Sequence, residues 1–385
     1  MRRNPRVWSD LGLLDGEVMK IEVVRTFDAL PNDASRLFSS AEKISFHFGL
    51  PWFQTFFHFL HQEQNNARVY VVANATGEQT LAVAPMYRAN TTSMFSSNQL
   101  ESMANYYSSL FSMLVDDTAI PLNQTLPALV QHFAAERPRW DVINLKPLDN
   151  TSALYHASIA AFKDSGFVVQ EYFCSGNWVL DVNGRNFAEY FQSLPSQVRN
   201  TVQRKEKQLL KQENVQIRIV TNVEDVDAAM NDYETVYNSS WKQPEPHANF
   251  IREFMREAAR RGWLRLGVVT IDGVPVAAQL WVVCHGIASI FKLAYDEKFN
   301  KLSAGSILTK TLMQHVIDVD RVHEVDYLTG DDSYKRDWMS HRRERWGIMA
   351  MNPRTLGGLL LIIRNVGGRW LKRFKKVTPR DQASP

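Results

Sequence analysis

A chain of 385 residues is too long for one ordinary hydrophobic core, which argues for two domains or one duplicated plan. With 45% hydrophobic and 22% charged residues it is globular in composition, not disordered. A net charge of +3 supplies no global field of the kind that marks a nucleic-acid binder.

The N-terminal residues MRRNPRVWSDLGLLDGEVMK carry basic groups but lack the apolar run of a signal peptide. Next comes LPWFQTFFHFLHQ (50–62), with helical apolar spacing, then the strand-like ARVYVVAN, a turn at ATGEQ and a second strand, TLAVAPMY. The polar and aromatic RANTTSMFSSNQLESMANYYSS follows. WDVINL and NWVLDV read as strands on either side of a helical ALYHASIAAFKDSG. SLPSQVRNTVQRKEKQLLKQ (193–212) reads as a helix with Pro195 in its first turn. Its Arg199, Arg204, Lys205, Lys207 and Lys211 make one side basic, most simply a solvated face.

SSWKQPEPH (239–247) is a polar, two-proline connection. It leads to the helical NFIREFMREAARRG (249–262), the strand WLRLGVVTI, the turn Asp272–Gly273 and the strand VPVAAQLWVV. An Asp-Gly pair between two β-branched runs is a strong hairpin signal. Helix, strand, turn and strand thus occur twice, and the order predicts an internal repeat. Only the second copy continues into a strand, IASIFKLAY, and a loop leading to a helix, DEKFNKLSAGSILTKTLMQHVID. HEVDYL is a further strand, followed by YLTGDDSYKRDWMSHRRERWG (327–347).

Three of these stretches carry chemistry. In KLSAGSILTKTLM a small-residue turn opens a helix, and the free amides and dipole of a helix start suit a pyrophosphate. The simpler reading is a cap by Ser303 or Ser306. The small residues of VPVAAQLWVV allow either packing under a helix or close approach of a ligand. In the 327–347 stretch Tyr334 can protonate a leaving thiolate. Asp331 and Asp332 can orient or deprotonate an acceptor, and Trp338 is ordinarily core. Trp241 and His247 of SSWKQPEPH can line an acceptor site, although an exposed loop needs no such purpose. The ten histidines show no metal-ligand spacing, and there is neither a GxSxG elbow nor a Walker loop, so no metal is expected. Cys174 and Cys284 read as buried thiols of a reducing compartment.

From 241 to 353 the segments SWKQPE, GWLRLGVV, DGVPVAAQLW, FKLAYDE, LSAGSILT, DYLTGDDSYKRDWM and RRERWG resemble acetyltransferases of the CelD/BcsL type. These are members of the GNAT superfamily associated with cellulose or exopolysaccharide biosynthesis. Over residues 20–235 the resemblance is looser and consistent with a FemAB-like tandem pair of GNAT domains. The resemblance implies an α/β fold with mixed sheets and two tandem GNAT-like domains. Residues 20–180 would be a degenerate domain without a phosphate loop, 181–353 the acyl-CoA domain, and 354–385 a basic amphipathic tail. It implies acetyl-CoA or another acyl-CoA as cosubstrate, with pantetheine along 287–295, where Leu293 and Tyr295 lie. The diphosphate would sit on a Q/R-x-x-G-x-G/A loop, here Asn300, Lys301, Leu302, Ser303, Ala304 and Gly305, with Ser306 following. Asn300 and Ser303 depart from that pattern, and Lys301 offers a positive charge.

Tyr334 takes the general-acid position of the superfamily, with Asp331 and Lys335 matched as catalytic by motif alone. Trp241, Lys242, His247, Asp332 and Trp338 fall on the acceptor side. The expected reaction is acyl transfer to an amine or hydroxyl of a small molecule or saccharide, without a nucleic-acid partner. A FemAB-like transferase using aminoacyl-tRNA and a non-catalytic GNAT-fold scaffold are the alternatives. No run reaches the ~20 apolar residues of a spanning helix, so a cytoplasmic location is expected. The tail, with eight Lys/Arg against Asp381 alone, reads either as a packed C-terminal helix or as a peripheral contact with the inner membrane.

Overall fold

The computed structural model describes residues 9–14, 17–60, 66–89 and 97–365. In chain order the strands are β1 (Ser9–Leu14), β2 (Glu17–Val24), β3 (Ala67–Ala73), β4 (Thr80–Arg88), β5 (Gln99–Ser102), β6 (Leu114–Val115) and β7 (Val142–Asp149). They continue as β8 (Val168–Asp181), β9 (Val215–Val220), β10 (Leu264–Ile271), β11 (Val274–Cys284), β12 (Ile287–Tyr295), β13 (Glu324–Asp326) and β14 (His341–Met351). The helices are α1 (Ser35–Glu42), α2 (Leu50–Leu60), α3 (Leu122–Ala135), α4 (Ala153–Asp164) and α5 (Phe187–Ser193). After them come α6 (Ser196–Leu209), α7 (Val226–Asn238), α8 (Ala248–Arg260), α9 (Ala304–Asp318) and α10 (Ser333–Arg336). Residues 356–365 are also helical, and the basic end of the expected tail, 366–385, lies outside the described residues.

Two compact units divide the chain, and they are interleaved. The first takes Met1–Leu37, Gln62–Cys174 and Trp346–Pro385; the second takes Phe38–His61 and Ser175–Arg345. In the first, β1, β2, β3, β4 and β5 lie side by side in antiparallel pairs and β7 joins β5 in parallel, while β6 pairs with β4. Its core gathers Tyr70 and Val72 of β3, Leu129 and Phe133 of α3 and Phe162 of α4.

The second unit is ordered β9-β10-β11-β12-β13-β8, antiparallel except for β12 with β13. The β10–β11 turn is at Asp272 and Gly273, with φ of +50° and +77°, the paired left-handed conformation that a two-residue hairpin requires. The small residues of this hairpin do pack under a helix. Ala277 shares a core with Leu308 and Leu312 of α9, and a Cβ on Gly267 would come within 2.8 Å of Leu308.

Helix α2, the opening element of the first sequence repeat, belongs to the second unit, where it packs on α8. Its sequence explains this: LPWFQTFFHFL is apolar nearly all round and needs burial on more than one side. Trp52 is buried, with its ring centroid 5.6, 5.2 and 6.0 Å from those of Phe250, Phe254 and Phe291. Truncation of so enclosed a ring leaves a cavity. Trp52→Ala should therefore lower unfolding free energy by about 3–5 kcal/mol in urea titration. A loss below about 1 kcal/mol would mean that α2 is not anchored by this ring.

Candidate active site

All residues that the sequence marks as chemical lie in the second unit. Strand β12 pairs with β13 only from Ile287 to Ser289, opposite Glu324 to Asp326. Beyond Ser289 it runs to Tyr295 with β11 as its sole strand partner among the described residues. One edge of this stretch, which carries Leu293 and Tyr295, is thus open to main-chain pairing with a ligand. A bulge helps to turn it: Leu280 faces Lys292 while Trp281 faces Ile290, so Phe291 is an extra residue.

At the end of β12, Asp296 accepts a hydrogen bond from the Lys298 amide at 2.9 Å and starts a 3-10 turn, Glu297–Leu302. Ser303 then adopts φ +55°, ψ +35°, and α9 begins. This left-handed conformation favours glycine, the residue that the family pattern carries here. Ser303 makes no side-chain bond to the first turn of α9, so it does not act as the cap that is the simpler sequence reading. The turn is held from beneath instead. Buried Gln279 donates through Nε2 to the Gly305 carbonyl and to Thr309 Oγ1, both at 2.8 Å, and accepts from Trp281 Nε1 at 2.9 Å. Ala304 is buried, and Lys301 and Ser306 are exposed. Lys205 of α6 donates to the Lys301 carbonyl, and Lys310 of α9 pairs with Glu206 at 2.5 Å. One side of the basic helix therefore lies along this loop and is not merely solvated.

The acceptor-side residues meet the loop through Tyr295. A Cβ on Gly305 would touch the Tyr295 ring at 3.4 Å, and the half-exposed Trp241 packs on that ring at a centroid distance of 4.6 Å. Next to Trp241, the Lys242 ammonium sits 5.6 Å from the Tyr237 ring centre and 5.7 Å from that of Trp241. Lys292 pairs with Glu245 at 2.8 Å, both largely shielded from water, and lies 5.6 Å from the same Tyr237 ring. Burial, with the like charge of Lys292 behind it, brings Lys242 down to about 8. Burial and then Glu245 push the Tyr237 phenol up to about 12.

The stretch after β13 supplies the remaining groups. Tyr327 is buried, and its ring stands edge-on to Tyr334 at 6.0 Å. Lys335 is 5% exposed, donates to the Thr329 carbonyl at 2.9 Å and lies 3.1 Å from the Asp332 carboxylate. Gly330, at φ +121°, makes room for it, since a Cβ there would collide with the ammonium. Tyr334 is half-exposed; burial, then Asp332 and Tyr295, push its phenol up to about 12, so it is protonated at neutral pH. Asp332 and Lys335 also act electrostatically on Lys242. Trp241, Lys242, Tyr295, Asp332, Tyr334 and Lys335 are thus brought together.

Three further residues singled out from the sequence make contacts of their own. Asp331 is clamped by Arg342, with Nε and Nη2 at 2.9 and 2.8 Å, and accepts from Trp178 Nε1 at 3.0 Å. The Arg342 bond holds its carboxyl below the ordinary range, which suits an ion pair and not a base. Trp338 is core, its carbonyl accepting from Tyr190 OH at 2.9 Å. His247 is exposed at the start of α8, where its carbonyl accepts the Ile251 amide. Lys292, Glu245 and Tyr237 escaped the sequence reading. The signal for Lys292 was available, as the one charged residue in the apolar IASIFKLAY.

Glu42, Cys284 and His285 form a further group, with potential ligand atoms within 4.8 Å of one another. No sequence spacing could show it, because Glu42 comes from α1 while Cys284 ends β11 and His285 opens the turn to β12. Burial pushes the Cys284 thiol up to about 12, so it is neutral beside a Glu42–His285 pair at 3.1 Å.

Residues 196–336 match the model of a family described as an acetyltransferase (GNAT) domain. No curated protein matches the chain. Among solved structures, FemX is similar over 78% of this chain and 90% of its own, at 10% identity and a TM-score of 0.55. A conserved protein of unknown function from Bacteroides thetaiotaomicron VPI-5482 is similar over 86% of this chain and 100% of its own, at 8% identity and a TM-score of 0.57. At these identities the likeness is one of fold. The mixed α/β architecture expected from sequence is the one observed.

The strained serine gives a direct check on the loop. Ser303→Gly should raise stability by up to about 1 kcal/mol, the left-handed penalty less the entropy that glycine adds to the unfolded chain. Ser303→Val should lower it. Thermal unfolding measures both, and a glycine variant less stable than the parent would count against strain at this position.

Proposed function

We propose that the second unit moves an acyl group from an acyl-CoA thioester to an amine or hydroxyl. The observation that carries this reading is the position of Tyr295, whose ring lies 3.4 Å from where a Cβ on Gly305 of the loop would stand and 4.6 Å, centroid to centroid, from Trp241 of the acceptor group. The pantetheine would pair along the open edge of β12, and the diphosphate would meet the amides at the start of α9, with Lys301 beside them. That route brings the thioester carbonyl toward Tyr334, Asp332 and Lys242.

In the reaction the acceptor attacks the carbonyl carbon, its proton leaves to neutral Lys242, and the carbon–sulfur bond breaks. The immediate products are the amide or ester and a thiolate, and the Lys242 ammonium then returns the acceptor's proton to the sulfur to give the thiol. With its phenol near 12, Tyr334 is a poor source of a free proton for a thiolate whose own acid is near ~8.5. It acts as a hydrogen-bond donor to the sulfur as charge develops there. Lys242, near 8, is matched to that thiol and holds the proton taken from the acceptor. Lys335 keeps the 329–332 turn closed and so fixes Tyr334.

The acceptor class we favour is a saccharide of envelope or exopolysaccharide biosynthesis, as in CelD/BcsL-type enzymes. The motifs of 241–353 and the half-exposed face of Trp241 support it. A second donor is also tested, because the basic helix α6 borders the loop and would suit the phosphates of an aminoacyl-tRNA.

Thermal shift separates these readings. Stabilisation by acetyl-CoA or a longer acyl-CoA is expected; stabilisation by tRNA alone would transfer the loop to the other donor, and a response to none would leave a scaffold. Tyr334→Phe should lower kcat about 100-fold or more with thioester affinity unchanged. Full turnover in that variant would remove Tyr334 from the mechanism. Because Lys242 is a base only when neutral, kcat/KM should rise with pH through about 8 and then level off. That limb should vanish in Lys242→Ala; its survival would place the base elsewhere.

A further inference from the structure

The helix at 356–365, in the first unit, is turned the wrong way for a water-facing element. Its inner side opens with two glycines and continues through the half-buried Leu361 and Ile362. Gly358 is buried, and a Cβ on it would stand 2.8 Å from the Asn352 carbonyl carbon and 2.9 Å from the Asp141 carbonyl oxygen. A Cβ on Gly357 would meet the Asp141 carboxylate at the same close range. The first turn of the helix therefore lies close against the backbone of Asp141 and Asn352. Four of its six large apolar side chains point outward: Leu356 is 75% exposed, Leu359 43%, Leu360 51% and Ile363 59%. These positions follow the i, i+3, i+4, i+7 spacing, so they form one stripe along a single face. Scattered exposed leucines are ordinary, but an apolar stripe on the outer face of a helix that buries glycines is not.

The residues beyond the stripe indicate its occupant. After exposed Arg364 come Arg369, Lys372, Arg373, Lys375, Lys376 and Arg380, with Asp381 the one acid, and Trp370, Leu371 and Phe374 among them. A second copy would carry the same excess of positive charge in its sequence, which opposes close association of two copies. An anionic surface is complementary both to the charge and to the stripe, and interfacial binding combines those two terms.

We propose that the Leu356–Leu359–Leu360–Ile363 face docks the protein on an anionic lipid bilayer, with the basic charge that follows Arg364 in the sequence strengthening the attraction. No helix among the described residues is long and apolar enough to cross a membrane, so this contact lies on the surface. It is independent of the proposed chemistry, which belongs to the other unit.

The test is co-sedimentation of the full chain with vesicles of phosphatidylcholine alone and with vesicles containing one-third phosphatidylglycerol. Binding to the anionic vesicles should exceed binding to neutral ones at least tenfold and should fall steeply in 0.5 M salt. Leu360→Glu/Ile363→Glu, at exposed positions where the fold should persist, should cut it at least tenfold, with an unchanged unfolding temperature as the control. Lys372→Gln/Arg373→Gln/Lys375→Gln/Lys376→Gln should cut it too. Failure of the parent chain to sediment with anionic vesicles overturns the proposal. So does binding that survives Leu360→Glu/Ile363→Glu, which would reduce the contact to charge alone. If the parent chain ignores vesicles but dimerises in light scattering, and Leu360→Glu/Ile363→Glu makes it monomeric, the stripe covers a second copy instead.

Discussion

The geometry of the candidate site depends on one buried carboxylate. Asp326, at the end of β13, accepts from the Leu328 amide at 2.6 Å and from the Asn177 side chain. Asn177 accepts in turn from Arg345 at 2.8 Å. Burial pushes the Asp326 carboxyl up, opposed by Arg345 and by the donors it meets. A carboxylate so far from water is tolerable only when its bonds are made. Those bonds hold Leu328 at φ +55° and turn the chain sharply away from the sheet. Gly330 and Lys335 complete the bend, and Tyr334 is presented from it. A change at Asp326 would therefore act at Tyr334 without touching any substrate.

Lys242 and Tyr334 show how one environment tunes two groups in opposite directions. Loss of water destabilises the charged form of each, lowering the ammonium's affinity for its proton and strengthening the phenol's hold on its own. Near neutral pH this yields a partly neutral amine and a firmly protonated phenol, the pair that acyl transfer can use. Acidic neighbours alone would not do this: Asp332 and Glu245 oppose the shift at Lys242, and it is carried by burial and by Lys292.

Much of this was legible because it is local. Asp272–Gly273 announces its hairpin through the φ values that only a few residues accept, and the turn is where the sequence puts it. Ser303 is the subtler case. The family pattern asks for glycine, the sequence departs from it, and the backbone keeps the glycine-like conformation with a serine in place. Long-range choices were not legible. Asp331 and Asp332 are neighbours of the same chemistry, yet Arg342, eleven residues on, claims the first and Lys335 the second. Likewise, the strong apolar signal of α2 says that it must be buried, but not against which partner. Its match with Phe250, Phe254 and Phe291 depends on residues that lie far along the chain.

The interleaving has a consequence for biosynthesis. As the polypeptide leaves the ribosome, α2 appears long before α8 and β12, so Trp52 and its aromatic neighbours must wait in a nascent chain without their partners. Such a delay exposes apolar surface at the stage when aggregation competes with folding. The first unit cannot close either until the residues after Arg345 have been made. Neither half is a self-sufficient module that finishes early, and holdase chaperones would find their natural target in the segment around Trp52.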